Sequence, residues 1–168
     1  MDKLVELLVK VLGRGNKILI AANGGSATMS SHFAGELVGR FKRKRRGWPA
    51  ISLTDAGMIT AIANDLGYKE VFARQVEAYG QVGDVLIVLT TSDANTKTGH
   101  SLNLFRAIAQ ANNNGVTSVV IGSAKTKRLA KMASLFIPAE GEDTPTIQEN
   151  QLKLIHQVCG RVEEELTK

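Results

Sequence analysis

Residues 85–89 limit the possible folds more than any other part of the chain. The run Val85-Leu86-Ile87-Val88-Leu89 is apolar throughout and follows the turn residues Gly83 and Asp84. A strand without polar alternation fits a parallel sheet covered on both faces, because both rows of its side chains are then buried. Similar short apolar runs recur at residues 17–22, 50–53, 118–121 and 135–137. These runs predict a five-stranded, mostly parallel sheet.

Apolar residues between the strands recur at three- and four-residue spacing, which predicts helices. In residues 2–13 this spacing places Leu4, Leu8 and Leu12 on one face, and Gly13 ends the helix. Further helices are predicted from the Ser26 turn to about residue 40 and at about residues 56–65, 70–79, 101–112, 126–132 and 146–165. The alternation of strands and helices predicts an α/β protein, a three-layer αβα sandwich. A length of 168 residues favours one domain spanning residues 1–168.

Composition narrows the class of protein. No run of eighteen apolar residues is present, and Met1-Asp2-Lys3 begins an amphipathic helix instead of a signal peptide, so we expect a cytoplasmic protein without a membrane span. Cys159 is the only cysteine, which excludes an intrachain disulfide and a cysteine-based zinc cluster. Its apolar neighbour Val158 suggests a packed, structural position.

The chain is basic, with a formal charge of +5, and part of that charge lies in the run Lys42-Arg43-Lys44-Arg45-Arg46. Such a run is either a solvated loop or a rim that faces an anion. Aromatic residues make up only 5% of the chain, and Trp48 is the only one close to the run, so base stacking on single-stranded nucleic acid is poorly supported. Phosphorylated small molecules are the better match to the charge.

The turn Asn23-Gly24-Gly25-Ser26 follows the first strand and precedes a helix. Its glycines allow positive φ and close backbone approach, and Ser26 can cap the helix, which together outline an anion site. The same four residues also fit an ordinary turn, and they match neither the P-loop nor the GxGxxG pattern. His32 and Glu36 lie one helical turn apart, so they suit a metal site, an acid/base pair or simple helix stabilisation.

A second polar cluster, Thr90-Thr91-Ser92, follows the 85–89 strand. In open α/β sheets ligands bind beyond the carboxyl ends of the strands, so this cluster and the 23–26 turn are expected to converge. Hydroxyl and backbone N–H groups suit a sugar phosphate. The chain has no Walker lysine and no acidic ribose contact, so we expect no nucleotide cofactor.

Several segments, in order from about residue 5 onwards, resemble the sugar isomerase (SIS) domain family, and within it the bacterial phosphoheptose isomerases. The matching segments are Asn23-Gly24-Gly25-Ser26, His32 to Phe41, Pro49 to Leu53, Thr60 to Asp65, Phe72 to Ala78, Gly83 to Ile87, and Ile147-Gln148-Glu149 with His156. The resemblance implies a flavodoxin-like SIS fold. It also implies an aldose-ketose isomerase that converts sedoheptulose 7-phosphate to D-glycero-D-manno-heptose 7-phosphate for lipopolysaccharide heptose biosynthesis.

The resemblance also implies roles for individual residues. Glu36 would be the general base and His156 the general acid of an enediolate mechanism, although on its own a lone helical histidine is usually just packed. Some of these isomerases are zinc proteins, and their metal ligands would correspond to His32, Glu36, Gln148 and His156. The substrate and its phosphate would contact Asn23, Gly24, Gly25, Ser26, Arg40, Asp65, Thr90, Thr91, Ser92, Ser101 and Gln148.

Helix geometry adds an expectation about assembly. Gln148 and His156 are eight residues apart, which on a straight helix is about 12 Å of rise and about 80° of rotation. A metal site that uses both residues is therefore predicted to combine two subunits, unless the helix begins after Gln148. The expected assembly is a homo-oligomer with interfacial active sites, and the resemblance implies a homotetramer.

Two departures from the family pattern matter for function. The family pattern Ser-Thr-Ser-Gly-Asn-Ser-x-Asn corresponds here to residues 90–103, a longer loop in which Asp93 replaces the glycine. A carboxylate beside a phosphate is unfavourable unless it turns away, although Lys97 and His100 could compensate. A carboxylate is also absent ahead of Gln148, with Asp143 as its candidate replacement. The alternative function is therefore a non-catalytic SIS protein, either a sugar-phosphate sensor or a relative that binds the replication initiator. Those relatives tend to lose the pair that Glu36 and His156 form here.

Overall fold

A computed structural model describes all residues from Met1 to Lys168. The strands are β1 (Ile18–Ala22), β2 (Ala50–Ser52), β3 (Val85–Leu89), β4 (Thr117–Gly122) and β5 (Leu135–Pro138). The helices are α1 (Asp2–Gly13), α2 (Gly24–Val38), α3 (Ala56–Leu66), α4 (Ala73–Tyr79), α5 (Leu102–Asn113), α6 (Lys127–Met132) and α7 (Thr144–Leu166). A short 3₁₀ helix, Tyr68–Glu70, precedes α4, so the helix predicted at residues 70–79 begins only at Ala73.

The strands form one sheet in the order β2-β1-β3-β4-β5, and every neighbouring pair is parallel. This confirms the predicted α/β sandwich, with a sheet that is wholly parallel. All five residues of β1 and of β3 are buried, because each of these strands has a neighbour on both sides and helices on both faces. The chain moves outward from β1 to β2 in one direction and to β3 in the other, so β1 and β3 mark the topological switch point.

Two apolar layers cover the sheet. One combines α1, α2 and α7 with side chains such as Ile20 and Ile87, and the other combines α4, α5 and α6 with side chains such as Leu19 and Leu86. Cys159 lies in the first layer and is 1% exposed. Its burial, with the nearby Glu36 carboxylate, raises the pKa of the thiol to about 12, as expected of a structural cysteine.

Helix α3 packs differently from the others. None of its residues is buried, although its sequence contains Met58, Ile59, Ile62 and Leu66. Leu66 is 49% exposed and the adjacent Tyr68 is 58% exposed. Ile59 and Ile62 are partly buried against the second apolar layer, so the exposed large apolar side chains here are those of Leu66 and Tyr68. No helix of the structure combines the length and hydropathy that spanning a membrane requires.

Candidate active site

The switch point between β1 and β3 opens a crevice at the carboxyl ends of the strands. After β1 the chain enters α2, which packs through Phe33 and Leu37 on one face of the sheet. After β3 it reaches α5, which packs through Leu104 and Ile108 on the other face. Because the two helices leave on opposite faces, the loops ahead of them separate and leave a cavity.

That cavity has a volume of about 430 Å³. It is lined by Asn23, Gly24, Gly25, Ser26, Tyr68, Leu89, Thr90, Thr91, Ser92, Gly99, His100, Ser101, Thr144 and Gln148. All the predicted substrate contacts are among them except Arg40 and Asp65. Arg40 is exposed beyond the end of α2, and Asp65 is exposed on α3, where its carboxylate accepts a hydrogen bond from Asn64.

The 23–26 turn has a different helix start from the one predicted. Helix α2 begins at Gly24, with Asn23 at the N-cap position, so Ser26 is a residue of the first turn and the predicted Ser26 cap is wrong. The Asn23 side chain instead exchanges hydrogen bonds of 2.7 and 2.9 Å with Asn103. No side chain caps α2, which leaves N–H groups of its first turn available at the cavity. Gly24 has φ +54°, a conformation that favours glycine.

Local hydrogen bonds fix the conformation of the 90–92 segment. The Thr90 hydroxyl donates to the Ser92 carbonyl at 2.8 Å and accepts from the Ser92 N–H at 3.2 Å. The buried Gln151 amide donates to the Thr90 carbonyl at 2.9 Å. These contacts hold the end of β3 in a tight turn beside the 23–26 turn.

The longer loop points its carboxylate away from the cavity. Asp93 accepts hydrogen bonds from the Arg128 and Leu129 N–H groups at 2.7 and 3.1 Å, so it caps the start of α6. His100, at the far end of the loop, lies 2.9 Å from the Ser92 hydroxyl through its Nε2 and lines the cavity, whereas Lys97 does not. Ser101 follows with φ 51°, the one non-glycine residue with positive φ, and such strain is typical of functional sites.

Asp143, the candidate replacement for the missing carboxylate, lies at the N-cap of α7. Its side chain accepts the Thr146 N–H at 3.0 Å and caps α7, and hydrogen bonds from the side chain and the N–H of Thr146 hold the pKa of Asp143 below its ordinary value. The neighbouring Thr144 lines the cavity in its place. Asp143 therefore lies outside the lining of the single-chain cavity, and its role as a substrate-contacting carboxylate stays a prediction.

A second group of functional side chains lies between α2 and α7. His32 and His156 approach each other at 2.9 Å through their Nε2 atoms, and Glu36 Oε1 lies 3.4 Å from His32 Nε2. The potential ligand atoms of all three residues lie within 4.8 Å of one another. Two imidazole nitrogens and a carboxylate oxygen in such a cluster match the donor set of a catalytic zinc site, which keeps a further position open.

The position of this cluster is relevant to the prediction that two subunits share the metal site. Helix α7 includes both Gln148 and His156, and the two residues lie in different surroundings. Gln148 Nε2 is 3.4 Å from the Ser26 hydroxyl and lines the cavity, whereas His156 lies against His32. Three of the four predicted metal ligands therefore meet within one chain and require no second subunit.

Comparison with known proteins shows the family of this chain. A model of the SIS domain matches residues 1–123, which is more than half of the chain. The chain belongs to the SIS domain family. The phosphoheptose isomerase of Thermodesulfovibrio yellowstonii is 45% identical over 165 residues, covering 98% of this chain and 79% of the relative. That of Helicobacter pylori strain Shi470 is 43% identical over 160 residues, covering 95% and 80%.

Solved structures agree with this SIS assignment. A phosphoheptose isomerase from Francisella tularensis superposes with a TM-score of 0.89 at 29% identity, covering 97% of this chain and 84% of the other. The phosphoheptose isomerase of Neisseria gonorrhoeae superposes with a TM-score of 0.83 at 32% identity, with the same coverage. The predicted SIS fold is thereby confirmed, and the chain falls in the phosphoheptose isomerase branch of this enzyme family.

Some residues that line this cavity are not among the site residues predicted from the sequence. Tyr68 lines the cavity and donates to the Asn23 amide oxygen at 3.2 Å, although it is not among the predicted site residues. Thr144 and Gly99 also line the cavity. No sequence signal marks these three residues, because each reaches the cavity through the path of a loop or helix end.

Proposed function

We propose that this chain is an aldose-ketose isomerase that converts sedoheptulose 7-phosphate to D-glycero-D-manno-heptose 7-phosphate. The observation that carries the proposal is the cluster of His32, Glu36 and His156, whose potential ligand atoms lie within 4.8 Å of one another. A carboxylate and an imidazole in one cluster supply the acid and base that such an isomerisation needs. The 45% identity to a phosphoheptose isomerase supports the choice of substrate.

The phosphate is proposed to bind in the cavity at the switch point. The N–H groups at the start of α2 and the hydroxyls of Ser26 and Ser92 offer hydrogen-bond donors there, and the cavity lining contains no carboxylate. Helix N-termini favour anions through the partial positive charge of their N–H groups. His100 adds a ring nitrogen to the same lining.

The proposed reaction moves one proton between adjacent carbons. Glu36 removes a proton from C1 of the ketose, and the electron pair forms the C1–C2 double bond of an enediolate while charge moves to the C2 oxygen. His156 protonates that oxygen and accepts the proton of the C1 hydroxyl. Glu36 then returns its proton to C2, which leaves an aldehyde at C1. An imidazole that titrates near neutrality suits the transfers at oxygen.

We propose Zn²⁺ as the cofactor, held by His32, Glu36 and His156, with Gln148 as the predicted fourth ligand in a site that two subunits would share. The donor atoms present fit that ion. When bound, zinc would polarise the substrate's carbonyl and hydroxyl oxygens. The protein's own residues would still orient the sugar and transfer its protons.

The direct test is incubation of the protein with sedoheptulose 7-phosphate, with and without added Zn²⁺, and chromatographic separation of the ketose and aldose phosphates. We expect turnover, and its loss after treatment with a chelator if zinc takes part. Ketose phosphates of other lengths provide the comparison. A protein that binds these compounds but turns over none of them would support the alternative, a non-catalytic sugar-phosphate sensor.

We further propose a homo-oligomer, with a tetramer as the expected state, whose subunits meet beside the active site. Helix α3 has no fully buried residue, and Leu66 at its end forms with the adjacent Tyr68 a small exposed apolar face. Tyr68 belongs to this face and also lines the cavity, so a second copy seated there would adjoin the site. Arg40 and Asp65, which lie outside the single-chain cavity, are the residues that such a copy would supply.

Analytical ultracentrifugation at the protein concentration of the activity assay tests this assembly. We expect a single oligomeric species, and Leu66→Lys is expected to dissociate it because a buried, unpaired charge is costly at an interface. A chain that is monomeric at that concentration and fully active would contradict the proposal.

The location that fits such an enzyme is the cytoplasm, since a charged sugar phosphate does not cross a bilayer unaided.

A further inference from the structure

Glu163 is a buried carboxylate with an unusual set of partners. It lies on α7 seven residues after His156, two helical turns further along the same face, and is 1% exposed. Its oxygens accept hydrogen bonds from three successive backbone N–H groups, those of Phe41, Lys42 and Arg43, at 3.3, 2.8 and 2.8 Å. These hydrogen bonds hold the loop after α2 against α7.

Arg45 completes this contact from the other side. Its side chain is 4% exposed, and its Nε donates to Glu163 at 2.9 Å. The rest of the guanidinium donates to carbonyls at the end of α2, with Nη2 to Glu36 at 2.7 Å and Nη1 to Leu37 at 2.9 Å. Those carbonyls have no partner within the helix, so Arg45 satisfies the end of α2 while it pairs with α7. Trp48 stacks on the guanidinium at 3.6 Å.

These contacts connect the two helices that bear the His/Glu/His cluster. Helix α2 supplies His32 and Glu36, and α7 supplies His156. The loop that Glu163 holds also places Phe41 against His156, with ring centroids 5.8 Å apart and an interplanar angle of 26°. His32 meets the same imidazole edge-on at 5.1 Å. His156 is thus enclosed by Phe41 on one side and His32 on another.

Stability alone does not account for a buried ion pair here. Apolar residues of similar volume often replace such pairs without loss of stability, because desolvating two charges offsets their attraction. Burial opposes the ionisation of Glu163, but the three N–H groups and Arg45 outweigh it and hold the pKa of the carboxyl below its ordinary value of 4.5. The pair stays ionised at neutral pH and fixes the direction of each hydrogen bond.

We infer that Glu163 and Arg45 are positioning residues that hold Phe41 and the ends of α2 and α7 so that His156 faces His32 and Glu36. The geometric part depends only on the contacts described, whereas its effect on turnover rests on the proposed isomerase function. The basic run at residues 42–46 therefore contains one structural residue, Arg45, and is not uniformly a solvated loop or an anion-facing rim.

The geometric part is tested by NMR of the histidine rings, which needs neither substrate nor metal. The chain has three histidines, so variants with single His→Gln changes assign every ring signal. In Glu163→Gln we expect the His32 and His156 signals to shift, and the His100 signal to stay unchanged because it lies in the cavity. Phe41→Leu, which keeps the backbone contacts, is expected to shift His156 and serves if Glu163→Gln does not fold.

Asp84→Asn is the matched control. Asp84 is also a buried carboxylate that accepts backbone N–H groups, those of Lys17 and Gln81 at 2.9 Å each, and pairs with the Lys17 ammonium. It directly precedes β3, so it lies at the amino ends of the strands, whereas the cavity lies at their carboxyl ends. Its loss should lower stability while leaving all three histidine signals in place.

Turnover gives the second measurement. At temperatures equally far below each variant's Tm, we expect kcat of Glu163→Gln to fall about tenfold or more with KM within about twofold, since the phosphate cavity is intact. Asp84→Asn is expected to keep kcat. Histidine signals that stay in place in both Glu163→Gln and Phe41→Leu, or an equal loss of kcat in Asp84→Asn, would overturn the inference. Absence of turnover in the unmodified protein would contradict the proposed function alone, and the NMR result would still decide the positioning role.

Discussion

Glu36→Gln is expected to lower kcat by about 10³-fold with little change in KM, because a positioned general base contributes roughly 10² to 10⁴ to the rate. The amide is nearly the size of the carboxylate but does not accept the proton from C1 of the substrate. The side chain of Glu36 is 22% exposed and lies 3.4 Å from His32, so the change keeps the local packing. Steady-state kinetics with sedoheptulose 7-phosphate provides the measurement.

The matched control for that change is Glu6→Gln. Glu6 is an exposed residue of α1, so Glu6→Gln makes the same chemical change away from the cluster. It should leave both kcat and KM unaltered. If Glu36→Gln kept more than a tenth of the unmodified kcat, or raised KM while kcat stayed the same, Glu36 would not be the base. A parallel loss of Zn²⁺ affinity, measured by competition with a chelator, would separate its role as a metal ligand from its role in proton transfer.

The parts of the molecule that follow from local pattern were predictable. The unbroken apolar run of β3 requires a strand buried on both faces, and the structure has it at the centre of a parallel sheet. Once the strands are parallel, their carboxyl ends share one edge, which explains why the 23–26 turn and the 90–92 segment meet in one cavity. Periodicity and topology were sufficient for these features.

The direction of individual side chains was not predictable in the same way. Asp93 follows the 90–92 segment directly, yet it turns to cap α6, because residues 128 and 129 offer it unpaired N–H groups from a distant part of the sequence. Arg45 belongs to a run of like charges that suggests solvent exposure, but its side chain is buried and pairs with Glu163. Both outcomes depend on contacts between residues far apart in the chain, about which local composition carries no information.

Gly25→Ala is expected to lower kcat/KM on the order of 10²-fold, since small displacements within a site of this kind have effects of that size. A Cβ atom at position 25 would lie 3.2 Å from Oε1 of Gln148, a tight contact, and 2.9 Å from its Nε2, closer than Cβ atoms approach other heavy atoms. The Gln148 side chain must then leave its place beside Ser26 and disturb the cavity. Most of the loss is expected in KM, because the cavity is where the phosphate is proposed to bind.

Gly35→Ala on the same helix is the control for that substitution. A Cβ atom at position 35 would meet no atom within 4 Å, so this change should leave the kinetics alone and stabilise α2 by about 0.5–1 kcal/mol. If both alanine variants lowered kcat/KM equally, altered helix propensity would be the cause and the contact with Gln148 would be irrelevant.

A double-mutant cycle shows whether the effect passes through Gln148. In a Gln148→Ala background the new methyl group at position 25 has no side-chain amide to displace, so Gly25→Ala should then cost little further activity. Additive losses would mean that the methyl group obstructs the phosphate directly and that Gln148 is a bystander. Strong coupling would instead make Gln148 the link between the phosphate cavity and α7, the helix that also bears His156. The glycine at position 25 would then be required by a residue that is distant in sequence as well as by the turn in which it lies.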